Sequence, residues 1–198
     1  MIQRRTIITS GLAGLGLTTI GAPLTALAQT AGWVTLFDGK NLDNWNRVGD
    51  ANWVLADGVV SADKGNGHLV TKVPYSDFEI RAEFWVDAKA NSGIFIRCQD
   101  AEKPGSKTGY EVNIFDERPE PEYGTGAIVD VAKVVPMPKA GGKWNVMEVT
   151  AKGPEMTVIL NGQKTVDKVK DTKHAKGYIS LQYGAGVVKF RKVEIRTL

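Results

Sequence analysis

Apolar and polar residues alternate with a period of two along most of this chain. Phe78, Ile80, Ala82, Phe84 and Val86 share one phase, and Glu79, Arg81, Glu83 and Trp85 share the other. Successive strand side chains point to opposite faces, so this run predicts an antiparallel strand with one buried face. Met156, Val158 and Leu160 repeat the pattern and lead into Asn161-Gly162, a dipeptide favoured in type I′ hairpin turns. Trp53-Val54-Leu55, Asp57-Gly58 and Val59-Val60 give a second hairpin signal. Tyr178 to Tyr183 and Val187 to Ile195 read as the last two strands, joined by Gly184-Ala185-Gly186. The apolar phase slips between Phe190 and Val193, which predicts a bulge or a strand that changes partners. No stretch keeps a helical period over three turns. Short strands with turn signals every eight to twelve residues predict an all-β fold, a single-domain β-sandwich or jelly roll, over residues 32–198. Glu117 to Tyr123 and Val135 to Gly142 read as loops, because their prolines and glycines do not suit central strands.

Residues 1–28 do not share the alternation. Arg4 and Arg5 precede an uncharged run of small and apolar residues from Thr6 to Leu27, and Ala26-Leu27-Ala28 matches a small-x-small cleavage site. This is the pattern of a signal peptide. The adjacent arginines and mild hydrophobicity fit twin-arginine export as well as an ordinary secretory signal. Either route predicts a periplasmic or secreted protein with no stable membrane insertion after cleavage. The mature chain, from near Gln29, keeps about 170 residues, enough for one sizeable core. Removing two Arg and no acids leaves 23 basic against 22 acidic residues, so the net charge falls from +3 to +1. No basic stripe remains, which excludes a nucleic-acid surface. Lys164 to Lys176 is interrupted by Asp167 and Asp171 and reads as a solvated face. Cys98 is the only cysteine, so no intramolecular disulfide forms; it shares the phase of Ile94 and Ile96 and is predicted to be buried and inert.

Two middle runs carry polar groups that packing alone does not need: Asn91-Ser92-Gly93-Ile94-Phe95-Ile96-Arg97 and Gly109-Tyr110-Glu111-Val112-Asn113-Ile114-Phe115-Asp116. A charge buried in a strand is costly unless it is paired or used. Alternation puts Glu111 and Asn113 on one face, and Phe95 and Arg97 on one face. If the runs pair, Arg97 and Glu111 could share a surface, where the guanidinium would hold the carboxylate ionised and oriented. Such a carboxylate acts as a general base, binds sugar hydroxyls, or is simply half of an ion pair in a sheet. Asp116 is a second acid candidate, or a turn and cap residue before Pro119. Five residues of straight strand separate it from Glu111 by roughly 16 Å. The carboxylates of glycosidases stand about 5 to 9.5 Å apart, so this is not a conventional glycosidase pair.

The two histidines, His68 and His174, cannot build a His-rich metal site; His68 follows Gly65-Asn66-Gly67 and could reach a cleft but reads better as a loop residue, and His174 reads as solvated among lysines. No nucleophile elbow, phosphate loop or dinucleotide fingerprint occurs. Acidic loops leave room for a divalent cation such as Ca²⁺ without locating one, and no other cofactor is indicated. Five tryptophans, Trp144 among them, could stack on the apolar face of a sugar, although most suit packing as well.

Taken in order, several segments resemble the 3-keto-disaccharide hydrolase domain family. They are Gly32-Trp33-Val34-Thr35-Leu36-Phe37-Asp38-Gly39-Lys40-Asn41-Leu42-Asp43-Asn44-Trp45, Asp77-Phe78-Glu79-Ile80, the Asn91 to Arg97 run, Gly109-Tyr110-Glu111-Val112 and Gly126-Ala127-Ile128. Further on come Lys143-Trp144-Asn145, Leu160-Asn161-Gly162 and Gly177-Tyr178-Ile179-Ser180-Leu181-Gln182. The likeness covers nearly all of the mature chain. It departs at Asn113, where Gln is usual, and at Val129, where an aromatic is common. The resemblance implies a concanavalin-like jelly roll that acts on small carbohydrates whose C3 hydroxyl has been oxidised to a ketone. A C3 ketone acidifies the C2 hydrogen, so one base can start an elimination at C1, and water addition completes a net hydrolysis. By position, Glu111 is the implied base, Arg97 the oxyanion or substrate clamp and Asp116 a secondary candidate. Asn91, Ser92, Asn113, Trp144 and Gln182 are the implied substrate contacts. The rival readings are a non-catalytic carbohydrate-binding module on the same fold and, more weakly, a structural envelope protein. A water-accessible pocket shared by Glu111 and Arg97 would favour the enzyme.

Overall fold

A computed structural model describes residues 32–198; the expected signal peptide at residues 1–28 lies outside them. The described residues form two antiparallel sheets packed face to face. One has the order β11 (Gln163–Lys170), β10 (Glu155–Leu160), β9 (Trp144–Lys152), β6 (Phe78–Val86), β13 (Val188–Thr197), β4 (Val59–Ala62), β3 (Val54–Ala56), with β1 (Val34–Phe37) also paired to β13. The other has the order β2 (Trp45–Gly49), β5 (Gly67–Thr71), β12 (Tyr178–Ala185), β7 (Asn91–Cys98), β8 (Tyr110–Ile114). The one helical turn among the described residues is a 3₁₀ turn at Pro121–Tyr123. No helix there is long and apolar enough to cross a membrane.

The alternation in the sequence becomes the seam between the sheets. Phe78, Ile80, Ala82, Phe84 and Val86 of β6 face inward with Met147, Val149 and Ala151 of β9. They meet Leu69, Ile94, Ile96, Val112, Ile114 and Leu181 from the smaller sheet. Each such large apolar side chain removed from water contributes about 1.5–3 kcal/mol, so this seam fixes which way every strand faces. Both expected hairpins form. Asn161 and Gly162 have φ of 52° and 79°, and Asp57 and Gly58 have 50° and 76°, the paired positive values of a type I′ turn. The phase slip in β13 is real and has two parts. Its register against β6 shifts between Phe190 and Lys192, and its other edge passes from β4 at Val188–Phe190 to β1 at Val193–Ile195. β12 and β13 follow one another in sequence but lie in different sheets, so Gly186 and Val187 carry the chain across the sandwich.

The smaller sheet gathers the polar residues on one surface. Its strand register sets Val48, His68, Gln182, Gly93 and Asn113 in one row, and Asn46, Val70, Ser180, Phe95 and Glu111 in the next. Both rows share the outer face, away from the seam. The far edge of β8 is not left open: Asn113 N donates to Ala127 O, Gly126 N to Asn113 O and Val129 N to Glu111 O, so Gly126–Val129 covers it.

Ile96 and Arg97 of β7 stand opposite the single residue Ile179 of β12, one residue more than the partner strand carries. Gly177 makes that bulge possible, because a Cβ there would overlap Arg97 C and Cys98 O. Gly177→Ala is expected to cost about 2–4 kcal/mol, since backbone rather than a movable side chain must give way. Urea unfolding of the variant checks this, and an unchanged midpoint would show that the bulge is not tight.

Candidate active site

Glu111 projects from the edge strand β8 directly opposite Phe95. It is half-buried, and burial pushes its carboxyl pKa up to about 7, against a lowering by Arg118 and a further rise from Asp130. Its neighbours on the outer face are polar and short of partners. Asn113 is fully buried; its Nδ2 donates to Tyr123 O at 2.7 Å, and its Oδ1 has no donor. Gln182 Oε1 is likewise buried without a donor. Gly93 lies between them. A Cβ there would stand 3.4 Å from Glu111 Cγ and 3.5 Å from Gln182 Oε1, so both side chains lean over the space a glycine leaves open. Unpaired buried acceptors are rare and costly in folded proteins, and two of them lie beside the Glu111 carboxyl.

His68 stands across the same floor. It is buried, its ring meets Phe95 edge-on at 5.4 Å, and its Nδ1 is 2.8 Å from Ser180 Oγ. Burial lowers its pKa to about 4, so the ring is neutral in ordinary buffers. The expectation of a loop histidine is corrected: residue 68 is in a strand, and its phase aims it at the outer face.

Of the eight residues implied by sequence, Glu111, Asn113 and Gln182 come together. Asn91 stands at the start of β7 beside Gly184. Ser92 takes the opposite phase, fully buried with its hydroxyl donating to Gln182 O at 2.7 Å. Trp144 lies on the outer face of the other sheet, paired with Trp85 and covered by the Arg191 guanidinium at 4.3 Å. Asp116 secures loops: its carboxylate accepts bonds from Thr125 Oγ1, Ala140 N and Gly141 N.

Arg97 does not join Glu111, so the shared pocket expected to favour an enzyme over a binding module does not form. The Arg97 backbone takes a φ of 54° at the bulge, which breaks the alternation that placed it beside Phe95. Its side chain is almost wholly buried and donates to Ser76 O, Gly153 O and His174 O, with Nη2 3.0 Å from Asp77 Oδ1. A separate pocket of about 280 Å³ borders it, lined by Gly153, Pro154, Asp171, Thr172, His174 and Ala175. His174 is itself buried against the Tyr110 ring at 5.1 Å, not solvated among lysines. The cation that reaches Glu111 is Arg118, from the loop after β8. Cys98 is buried as expected, and burial raises its thiol pKa to about 12. Among the described residues no three His, Cys, Asp or Glu side chains are placed to hold a metal ion.

The sequence profile of the 3-keto-alpha-glucoside-1,2-lyase-like domain matches residues 32–196. The chain belongs to this family. A 3-keto-disaccharide hydrolase from Bacteroides thetaiotaomicron is 26% identical over 150 residues, 60% of this chain and 52% of that protein, so the chain spans about half the length of this curated relative. The crystal structure of a candidate glycosyl hydrolase from Parabacteroides distasonis is 30% identical, with a TM-score of 0.70, and covers 84% of this chain and 100% of that one. A carbohydrate binding module from Bacillus subtilis shares the fold at 16% identity and a TM-score of 0.58, covering 85% and 98%.

The residues that sequence reasoning missed in this 3-keto-alpha-glucoside-1,2-lyase-like domain are Gly93, Phe95, Ser180, His68 and Arg118. A signal for two of them was present. Ser180 and Gln182 share a polar phase against Ile179 and Leu181, and His68 and Val70 alternate with Leu69 and Thr71. No local pattern places Arg118.

The positions of Glu111 and Arg97 have measurable consequences. Glu111 has a folded-state pKa raised above its ordinary value, so its stabilising contribution is present at low pH and lost as pH rises through about 7. Glu111→Gln is therefore expected to raise Tm by roughly 3–6 °C at pH 8 and to leave it unchanged at pH 4, a difference that thermal scans at both pH values resolve. Arg97→Met strands three carbonyls and Asp77, at an expected cost of about 3 kcal/mol or more. Turnover per folded molecule should persist, and its loss with stability intact would return Arg97 to the chemistry.

Proposed function

We propose that this chain is an exported, periplasmic or secreted enzyme that cleaves 3-keto-glycosides, with the sugar bound on the outer face of the smaller sheet. The observation that carries this reading is a half-buried carboxyl raised to about 7 on the polar outer face, leaning with Gln182 over the space left open at Gly93. The carboxylate has the basicity to take a proton at neutral pH, where an ordinary Glu is too weak a base. The family and the hydrolase relative support the substrate class.

In the proposed reaction Glu111 removes the C2 proton of a 3-keto sugar. The electrons of that C–H bond move toward the C3 carbonyl, giving an enolate. The enolate collapses to a C1–C2 double bond, the C3 ketone re-forms, and the C1 substituent leaves with its bonding pair. The proton on Glu111 is available to the departing oxygen. Water then adds its hydroxyl to C1 and its proton to C2, which completes a hydrolysis. Phe95 and Gly93 form the floor, and the enolate oxygen requires a donor.

Two measurements test the reading. The kcat/KM for release of aglycone from a 3-keto-glucoside should rise with pH through about 7 and level off above it. Glu111→Gln should lower that rate at least about 100-fold. Equal rates for the two proteins would remove Glu111 as the base. Binding of the 3-keto-glucoside without turnover by the unaltered protein would instead assign a carbohydrate-binding module.

A further inference from the structure

We propose that His68, held by Ser180, is the acid of this site: its Nε2–H donates a hydrogen bond to the C3 oxygen of the substrate while Glu111 takes the C2 proton from the other side. This inference rests on the proposed cleavage of 3-keto-glycosides and names the donor that the enolate oxygen requires.

The tautomer follows from the hydrogen-bond inventory. Ser180 is fully buried, and His68 Nδ1, at 2.8 Å, is the one partner of its hydroxyl among the described residues. A serine hydroxyl carries a single donor hydrogen. If Nδ1 were protonated, it would donate to Ser180 Oγ, and the hydroxyl hydrogen would be buried with no acceptor. That costs about 1–3 kcal/mol. If Ser180 donates to Nδ1 instead, both groups are satisfied and the ring proton sits on Nε2. Nε2 makes no hydrogen bond to any described residue, yet it is not among the buried unpartnered atoms as Gln182 Oε1 and Asn113 Oδ1 are, so it is the ring nitrogen open to a ligand. The edge-on contact with Phe95 fixes the ring plane from the other side.

The placement suits the reaction. His68 and Glu111 lie on strands β5 and β8, three strand spacings apart and two residues apart along the strands, or roughly 16 Å between backbones at ~4.8 Å per spacing and ~3.3 Å per residue. The two intervening positions in the His68 row are Gln182 and Gly93, and Glu111 leans inward over Gly93. His68 reaches toward Ser180 and Phe95 and Glu111 toward Gly93, so both side chains converge over β12 and β7, where the proposal sets the sugar with C2 facing Glu111 and C3 facing His68. A neutral imidazole suits this task. The ring's depressed pKa keeps it a hydrogen-bond donor of unchanged charge, matched to an oxygen that becomes negative only as the proton leaves C2. Ser180 touches no reacting atom and is a positioning residue. The charged groups that bear on the site are Glu111, Arg118 and Asp130.

The experiment combines kinetics with ¹⁵N NMR of the histidine ring in the full-length mature protein. His68→Gln is expected to lower kcat for a 3-keto-glucoside about 100-fold, to change KM less than threefold, and to leave the pH limb near 7 in place. Ser180→Ala is expected to lower kcat about 10-fold and to shift the His68 ring nitrogens away from a pure Nε2–H tautomer, and Ser180→Thr, which keeps the hydroxyl, to restore both. In the unaltered protein the spectrum should show protonated Nε2, and adding the 3-keto-glucoside should move that resonance. An Nδ1–H tautomer, or an Nε2 signal indifferent to the sugar, overturns the proposal even if the variants fail to fold. Full activity in folded His68→Gln also overturns it. Loss of activity in Glu111→Gln alongside full activity in His68→Gln would reject this inference while sparing the reading it rests on.

Discussion

Burial of one face of each sheet against the other is the constraint on which the rest of this molecule depends. The seam contains Phe78, Phe84 and Phe190 from the larger sheet and Leu69, Ile94 and Leu181 from the smaller. A strand has only two faces, so once the seam claims Ile94, Val112 and Leu181, residues one position away must point outward. Gly93, Phe95, Glu111 and Gln182 reach the outer face for that reason. The site is thus the complement of the core, set by the same register that packs the interior.

That outer face is unusual for a β-sandwich because it is buried and polar together. Val70 and Phe95 are covered although they lie outside the interior cluster, and Asn113, Ser180 and His68 are buried beside them. Low water access raises the Glu111 pKa and lowers that of His68, so near neutral pH the carboxyl titrates while the imidazole stays neutral. The loop that follows β8 helps to make this environment. It adds Gly126–Val129 to the sheet edge, brings Arg118 and Asp130 near Glu111, and is tied down by Asp116. Asp116 therefore serves the site by holding the loop.

The sequence made the strands, both type I′ turns and the slip in β13 legible, because each is a local consequence of period two or of φ > 0 at Asn-Gly and Asp-Gly. It also brought Glu111, Asn113 and Gln182 into view. It misled at Arg97, because alternation assumes a regular strand. One extra residue turns that guanidinium onto the carbonyls of Ser76 and Gly153, far along the chain. It misled at Trp144 for a different reason. The residue has the right chemistry for a sugar, but its strand belongs to the other sheet, and nothing local announces sheet membership.

What the sequence determined by itself was the all-β class and the phase of its long alternating strands, since both come from residue type and spacing, and it offered Glu111 as the candidate carboxylate. What only the tertiary structure decided was the company that carboxylate keeps. His68 and Ser180 lie 112 positions apart and meet because β5 and β12 are neighbours in one sheet. Arg97 and Gly153, 56 positions apart, meet because a bulge redirects one side chain toward the turn between β9 and β10. Pairings of that kind depend on sheet order and register, which emerge from burying the whole seam at once and are written in no single stretch of chain.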